Sequence, residues 1–166
     1  MGKGMSEVAT SFNKQVHSEL SGALIHLLAE TYRLYLQTKD CHLRVAGFRL
    51  HELQLIFEGQ REELEKAVEE IAEHVRLIDS SAKASYKEYP TYESMLDMAV
   101  TRSTTEMVEL LATGHEQVLK SAVKGLQITR KLNDDSTASL IMTRMYIHEK
   151  SALKLKTASR DLVNFN

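Results

Sequence analysis

Proline occurs once in this chain of 166 residues, cysteine once and tryptophan not at all, and the seven glycines are scattered. With so few breakers little interrupts a helix, so long helices are expected rather than many short strands. A single cysteine, Cys41, cannot close an intrachain disulfide, which fits a reducing compartment. No run of about 18 apolar residues is present, so no membrane span is expected. The opening MGKGMSEVATSFNKQ has no apolar signal core, which points to the cytoplasm. The net charge of −2 with His neutral gives no global attraction for nucleic acid. Against these absences stand 43% hydrophobic and 27% charged residues, a balance that suits one domain over 1–166 with a single core. Residues 1–5, with Gly2 and Gly4, are expected to lack regular structure.

Four helical stretches follow from the apolar spacing. The first runs from about Ser6 to Arg44 on Val16, Leu20, Leu24, Leu27, Thr31 and Leu34. Gly47 marks a turn, and the second helix runs from about Leu50 to Ser80 on Leu53, Phe57, Leu64, Val68, Ile71, Val75 and Ile78. Residues 81–102 are less regular: they hold Pro90, then Thr91 placed to cap a short helix from about Glu93 to Ala99. The third long helix opens with the capping box Ser103-x-x-Glu106 and ends at Asn133, a residue that tolerates the left-handed conformation. Asp134 and Asp135 start the fourth, where negative charge is favoured, and its stripe is Ile141, Met145, His148, Ala152 and Leu155. Two helical hairpins joined by one long crossover are ferritin-like connectivity, so the expected fold is an all-α four-helix bundle with a small extra helix in the crossover.

The second helix carries Glu58, Glu62, Glu65, Glu69 and Glu73 along one ribbon. Like charges four apart repel by a few tenths of a kcal/mol per pair, roughly, unless a cation intervenes. A solvated face, helped by Arg61 and Lys66, is the plain reading; a metal-binding face is the other. His42 ends the first helix, and one imidazole beside carboxylates would suit a borderline cation such as iron(II). No Glu has a His three residues later, so the usual Glu-x-x-His centre inside one bundle is not expected; ligands would have to be assembled otherwise, for instance across a subunit interface. No G-x-S-x-G, Walker-type loop or complete G-x-G-x-x-G occurs. Cys41 and His42 point about 100° apart on a helix, which argues against a nucleophile–base pair. His74, His115 and His148 lie on or beside core stripes and are expected to be buried and hydrogen-bonded. Met95, Met98, Met142 and Met145 read as packing, and Tyr32, Tyr35 and Tyr146 as boundary residues with wet hydroxyls.

The segments His42-Leu-Arg-Val-Ala-Gly47, Leu50, Leu53, Phe57-Glu58 and Glu69-Glu-Ile-Ala-Glu73 together resemble the signature of the Dps family. Further matches are His115-Glu-Gln-Val, Asp134-Asp-Ser-Thr-Ala and Ile147-His-Glu-Lys150, so the resemblance covers about residues 6–162. It implies a hollow homododecamer that oxidises iron(II), with peroxide as preferred oxidant, and stores ferric mineral, protecting against oxidative stress. It implies metal sites at two-fold interfaces, with His42 and Glu58 from one subunit and Glu69 and Glu73 from its neighbour. Glu73 is then the best candidate for a direct iron ligand, with Glu58 bridging or holding a second iron.

Two departures bear on that implication. The family's second histidine falls on Gln54, whose carbonyl oxygen is a weaker iron(II) donor than imidazole. The aromatic residue that usually follows the first histidine is Leu43. Both favour a second reading, a structural or DNA-protecting shell with a weakened or lost ferroxidase site. Asp134 and Asp135 match the region that lines three-fold pores in the family, although the aspartate of its Thr-x-Asp step is Ser139 here. Helix capping is the equal alternative for this pair. The family's DNA binding often uses a lysine-rich tail; Lys3 and Lys14 alone make a poor phosphate-binding arm, so weak or no DNA binding is expected.

Overall fold

A computed structural model of the chain describes residues 3–45, 50–79 and 103–164, with side chains described between 14 and 161 in those ranges. Four α-helices occupy them: α1, Lys3–Arg44; α2, His51–Ile78; α3, Thr104–Leu132; and α4, Asp135–Asn164. No strand occurs among the described residues. The Gly47 turn, Pro90 and the small helix expected near 93–99 lie outside them. Helix α1 starts at Lys3, three residues ahead of the apolar pattern, so Lys3–Met5 are helical where no regular structure was expected. Once a helix is nucleated each further residue adds a hydrogen bond, so apolar spacing underestimates its length.

The apolar stripes turn inward as their spacing requires. Leu20, Leu24, Leu27, Leu28 and Leu34 of α1 meet Phe57, Leu64, Ile71 and Val75 of α2, Val108, Leu111 and Val118 of α3, and Ile141 and Leu155 of α4 in one core. Each such side chain contributes about 1.5–3 kcal/mol on full burial. Thr31 and Thr38 enter this apolar face by returning their hydroxyls to the carbonyls of Leu27 and Leu34, both at 2.8 Å. Met145 packs against the core, whereas Met142, expected as packing, is exposed: it lies three residues away, on the next face of α4.

Helix α1 packs on α2 and α3, α3 on α4, and α4 on α2. At Gly114, α3 comes so close to α1 that an added Cβ would lie 2.5 Å from Leu34 Cδ1. The capping box is formed: the Glu106 amide donates to Ser103 Oγ at 3.3 Å and the Ser103 amide to Glu106 Oε2 at 2.6 Å. Asn133 ends α3 in the left-handed region, φ 53°. Because His74 near the end of α2 meets Thr137 at the start of α4, α2 and α3 run parallel, and the end of α2 and the start of α3 lie at opposite ends of the bundle. That is the one-crossover arrangement of ferritin-like bundles.

Candidate metal-binding face and buried histidine pair

Contacts across the first hairpin establish its register. Ser21 Oγ donates to Asp79 Oδ2 at 3.4 Å, and Tyr35 Oη donates to Glu65 Oε1 at 3.2 Å. Both partners advance by 14 residues between these contacts, in opposite directions, as antiparallel helices must. Seven residues further in the same register, His42 on α1 comes level with Glu58 on α2. Both are half-buried, as is Gln54 one turn before Glu58. Glu69 and Glu73 are exposed. At 1.5 Å per residue they lie about 17 and 23 Å along α2 from Glu58, on nearly the same face. One chain therefore separates the five expected ligands into a half-buried group, His42, Gln54 and Glu58, and a solvent-facing pair. Among the described residues no three His, Cys, Asp or Glu side chains converge to hold a metal ion.

Between these groups the acidic ribbon is partly compensated. Arg61 lies 3.5 Å from Glu62 and 3.6 Å from Glu65. Leu43, exposed beside His42, and Leu55, exposed beside Gln54, add apolar surface at this end of the hairpin.

The expected pore residues divide. Asp134 is the N-cap of α4: its Oδ1 accepts from the Thr137 amide at 3.0 Å and its Oδ2 from the Thr137 hydroxyl at 2.5 Å. Burial raises its pKa, but the two bonds from Thr137 and the facing imidazoles of His74 and His17 outweigh this and hold the carboxyl below its ordinary value. Capping accounts for Asp134; Asp135 remains exposed.

The bundle interior holds a polar cluster whose histidines were legible but whose partners were not. His115 and His148 are 1% and 0% exposed, with Nδ1 atoms 2.8 Å apart. His115 Nε2 lies 3.2 Å from Gln60 Oε1, and Gln60 Nε2 donates to the Ser151 carbonyl at 3.4 Å. These contacts assign every proton. The Ser151 carbonyl accepts only, so it fixes the Gln60 amide group and turns its oxygen to His115. His115 Nε2 must then carry hydrogen, its Nδ1 is a lone pair, and His148 Nδ1 donates to it. His148 Nε2 is left as a bare lone pair with no hydrogen-bond partner among the described residues. Burial pushes His115 down to about 4, and burial, His115 and Arg144 push His148 down to about 3, so both rings are neutral at pH 7.

Arg144, one turn before His148, is 4% exposed. Its Nη1 is 2.7 Å from Glu63 Oε1 and its Nε 3.9 Å from Glu70 Oε2. A cation held by the imidazoles would lie beside this guanidinium while the neighbouring carboxylates are engaged with it. The pair reads as a structural polar core rather than a metal centre.

A family model described as the ferritin-like domain matches residues 21–163. The chain is 28% identical over 144 residues to DNA protection during starvation protein 2 of Bacillus anthracis, covering 87% of this chain and 96% of that one. Among solved structures, Dps from Thermosynechococcus elongatus superposes with a TM-score of 0.73 at 22% identity, over 86% of this chain and 91% of that one. A Dps protein from Vibrio cholerae O1, described as a member of a superfamily of ferritin-like diiron-carboxylate proteins, gives 0.69 at 22% identity, over 86% and 90%. The match across nearly the whole bundle, with the helix order and parallel α2 and α3, shows that the chain belongs to the ferritin-like family, and the relatives it is similar to are Dps proteins.

Proposed function

We propose that this protein oxidises iron(II), with peroxide as oxidant, and stores ferric iron inside a dodecameric shell in the cytoplasm. Iron is the substrate and cargo of this reading. The observation that carries it is the division of the acidic face: His42 and Glu58 are level on one hairpin, while Glu69 and Glu73 stand exposed too far along α2 to reach them. A two-fold axis that brings the second pair of one copy to the first pair of another supplies one imidazole and three carboxylates, a donor set suited to iron(II). Glu69 and Glu73 then hold iron directly, Glu58 bridges, and Gln54 offers its carbonyl oxygen in place of an imidazole. Leu43 and Leu55, exposed at the same end, are the apolar surface such an interface would cover.

Anaerobic protein mixed with iron(II) and hydrogen peroxide tests the reading. Rapid ferric absorbance is expected, with its fast phase lost in Glu73→Ala. A wild-type rate no greater than the buffer blank rejects it, as does a sizing run that gives only the 18.8 kDa subunit. Gln54 favours a second reading, a shell that protects DNA or has a structural role with little iron oxidation. Its signature would be an intact large particle, no ferric phase, and a gel shift of DNA that weakens steeply with salt.

A further inference from the structure

The seam between α2 and α4 has a register of its own. Gln60 meets Ser151 and His74 meets Thr137, contacts separated by 14 residues on each helix and in opposite directions. Glu63 is therefore level with His148, and Ala67 with Arg144. The Arg144 guanidinium turns from its own level toward that of His148, because its Nη1 lies 2.7 Å from Glu63 Oε1. At the height of Arg144, α2 presents only the methyl group of Ala67, which leaves this stretch of the seam to polar groups.

Three buried polar atoms in the seam have no hydrogen-bond partner among the described residues: Arg144 Nε, Arg144 Nη1 and His148 Nε2. Nη1 is close to Glu63 without being aligned on it. Arg144 and His148 are 4% and 0% exposed and stand one turn apart on the same face of α4. The guanidinium is near enough for its charge to help lower the His148 pKa. Buried donors and acceptors are rarely left unpaired, because each has given up its bonds to solvent. Three in one seam point to a molecule between them.

The chemistry of that molecule follows from the count. Both Arg144 atoms only donate, and His148 Nε2, given the proton positions of the histidine pair, only accepts. A cation is repelled by the guanidinium. A halide or other aprotic anion has no hydrogen for His148, and Glu63 and Glu70 already face the same guanidinium. An apolar molecule satisfies none of the three. Water satisfies them all: its oxygen accepts from the two Arg144 nitrogens, one hydrogen goes to His148 Nε2, and the second is free for the Glu63 carboxylate. Four bonds lie within the range that buried waters make.

We infer that a single water molecule is bound between Arg144 and His148 as a fixed part of the α2–α4 seam. It extends the hydrogen-bonded series of the Ser151 carbonyl, Gln60, His115 and His148 to Arg144 and the half-buried Glu63. The interior histidines are thereby joined to the bundle surface through hydrogen-bonded groups alone. This site is independent of the proposed iron chemistry.

Two measurements on the assembled full-length protein at pH 7 test it. An atomic-resolution crystal structure is expected to show one isolated density peak within hydrogen-bond distance of His148 Nε2 and of at least one of the two Arg144 nitrogens. The peak is expected to survive dialysis against a chelator and to vanish in His148→Phe. Direct contact of Arg144 with His148 Nε2, a closed seam without the peak, or a peak removed by the chelator overturns the inference. The second measurement is nitrogen-15 solid-state magnetic resonance of histidine-labelled particles, with His148 identified by its loss in His148→Phe. Its Nε2 is expected to be unprotonated, shifted upfield of a bare imidazole nitrogen, and to receive polarisation from water hydrogens. A resonance at the bare value, at the protonated value, or without that transfer rejects the site.

Discussion

Acidification should unfold this subunit through its two interior histidines, and the size of the effect follows from their burial. Both rings are neutral when folded, His115 held to about 4 and His148 to about 3, against an ordinary value of 6.5. The folded state therefore refuses protons that the unfolded state accepts. Stability from this pair is complete above the unfolded value and drains as pH falls from 6.5 toward the folded values. Between pH 7 and pH 5 each ring costs about 2 kcal/mol, roughly 4 kcal/mol together, from 1.36 kcal/mol per unit. That is a large part of a typical domain stability of about 5–15 kcal/mol. Asp134, whose pKa is lowered from 3.8, adds its own loss only at lower pH. Urea unfolding followed by circular dichroism, at one protein concentration because assembly contributes to stability, should show this fall over pH 7 to 5. The double variant His115→Leu/His148→Leu removes the titrating groups and should flatten the curve in that interval, whatever its absolute stability. Parallel losses in wild type and double variant would show that His115 and His148 are not the groups responsible.

Other substitutions probe particular contacts. Gly114→Ala drives a methyl group into Leu34 and should cost about 1–3 kcal/mol by overpacking, read as a lower urea midpoint; Leu34→Ala in the same chain should recover part of it. Ser103→Ala removes the cap of α3 and should cost about 1 kcal/mol, with faster amide exchange confined to the first turn of α3. Glu63→Gln removes the nearer of the two carboxylates facing the Arg144 guanidinium, leaving Glu70 at 3.9 Å, and should destabilise more than Arg144→Met, by about 1–3 kcal/mol, because a buried charge with a weakened partner costs more than losing the charge; the opposite order in thermal melts would contradict this.

Much of the local structure is written in short-range pattern. The Ser103–Glu106 box, the left-handed Asn133 and the stripes through Leu24, Phe57, Leu111 and Ile141 depend on residues three or four apart, and helix geometry alone decides them. The acidic ribbon of α2 was legible for the same reason, and so was the position of His115 and His148 on core stripes. Gln60, Arg144 and the Tyr35–Glu65 bond were not. Each acquires its role from a partner 30 or more residues away, and the sequence carries no record of that pairing.

By itself, then, the order of residues determined four long amphipathic helices, where they are capped, and which carboxylates share a face, because intrahelical hydrogen bonding sets one rise and one rotation per residue. Tertiary structure decided the antiparallel register that levels His42 with Glu58 and the closure of Gln60, His115 and His148 into one chain of hydrogen bonds. Those outcomes turn on how four helices rotate and slide against one another to fill a core, a balance of packing that no single helix contains.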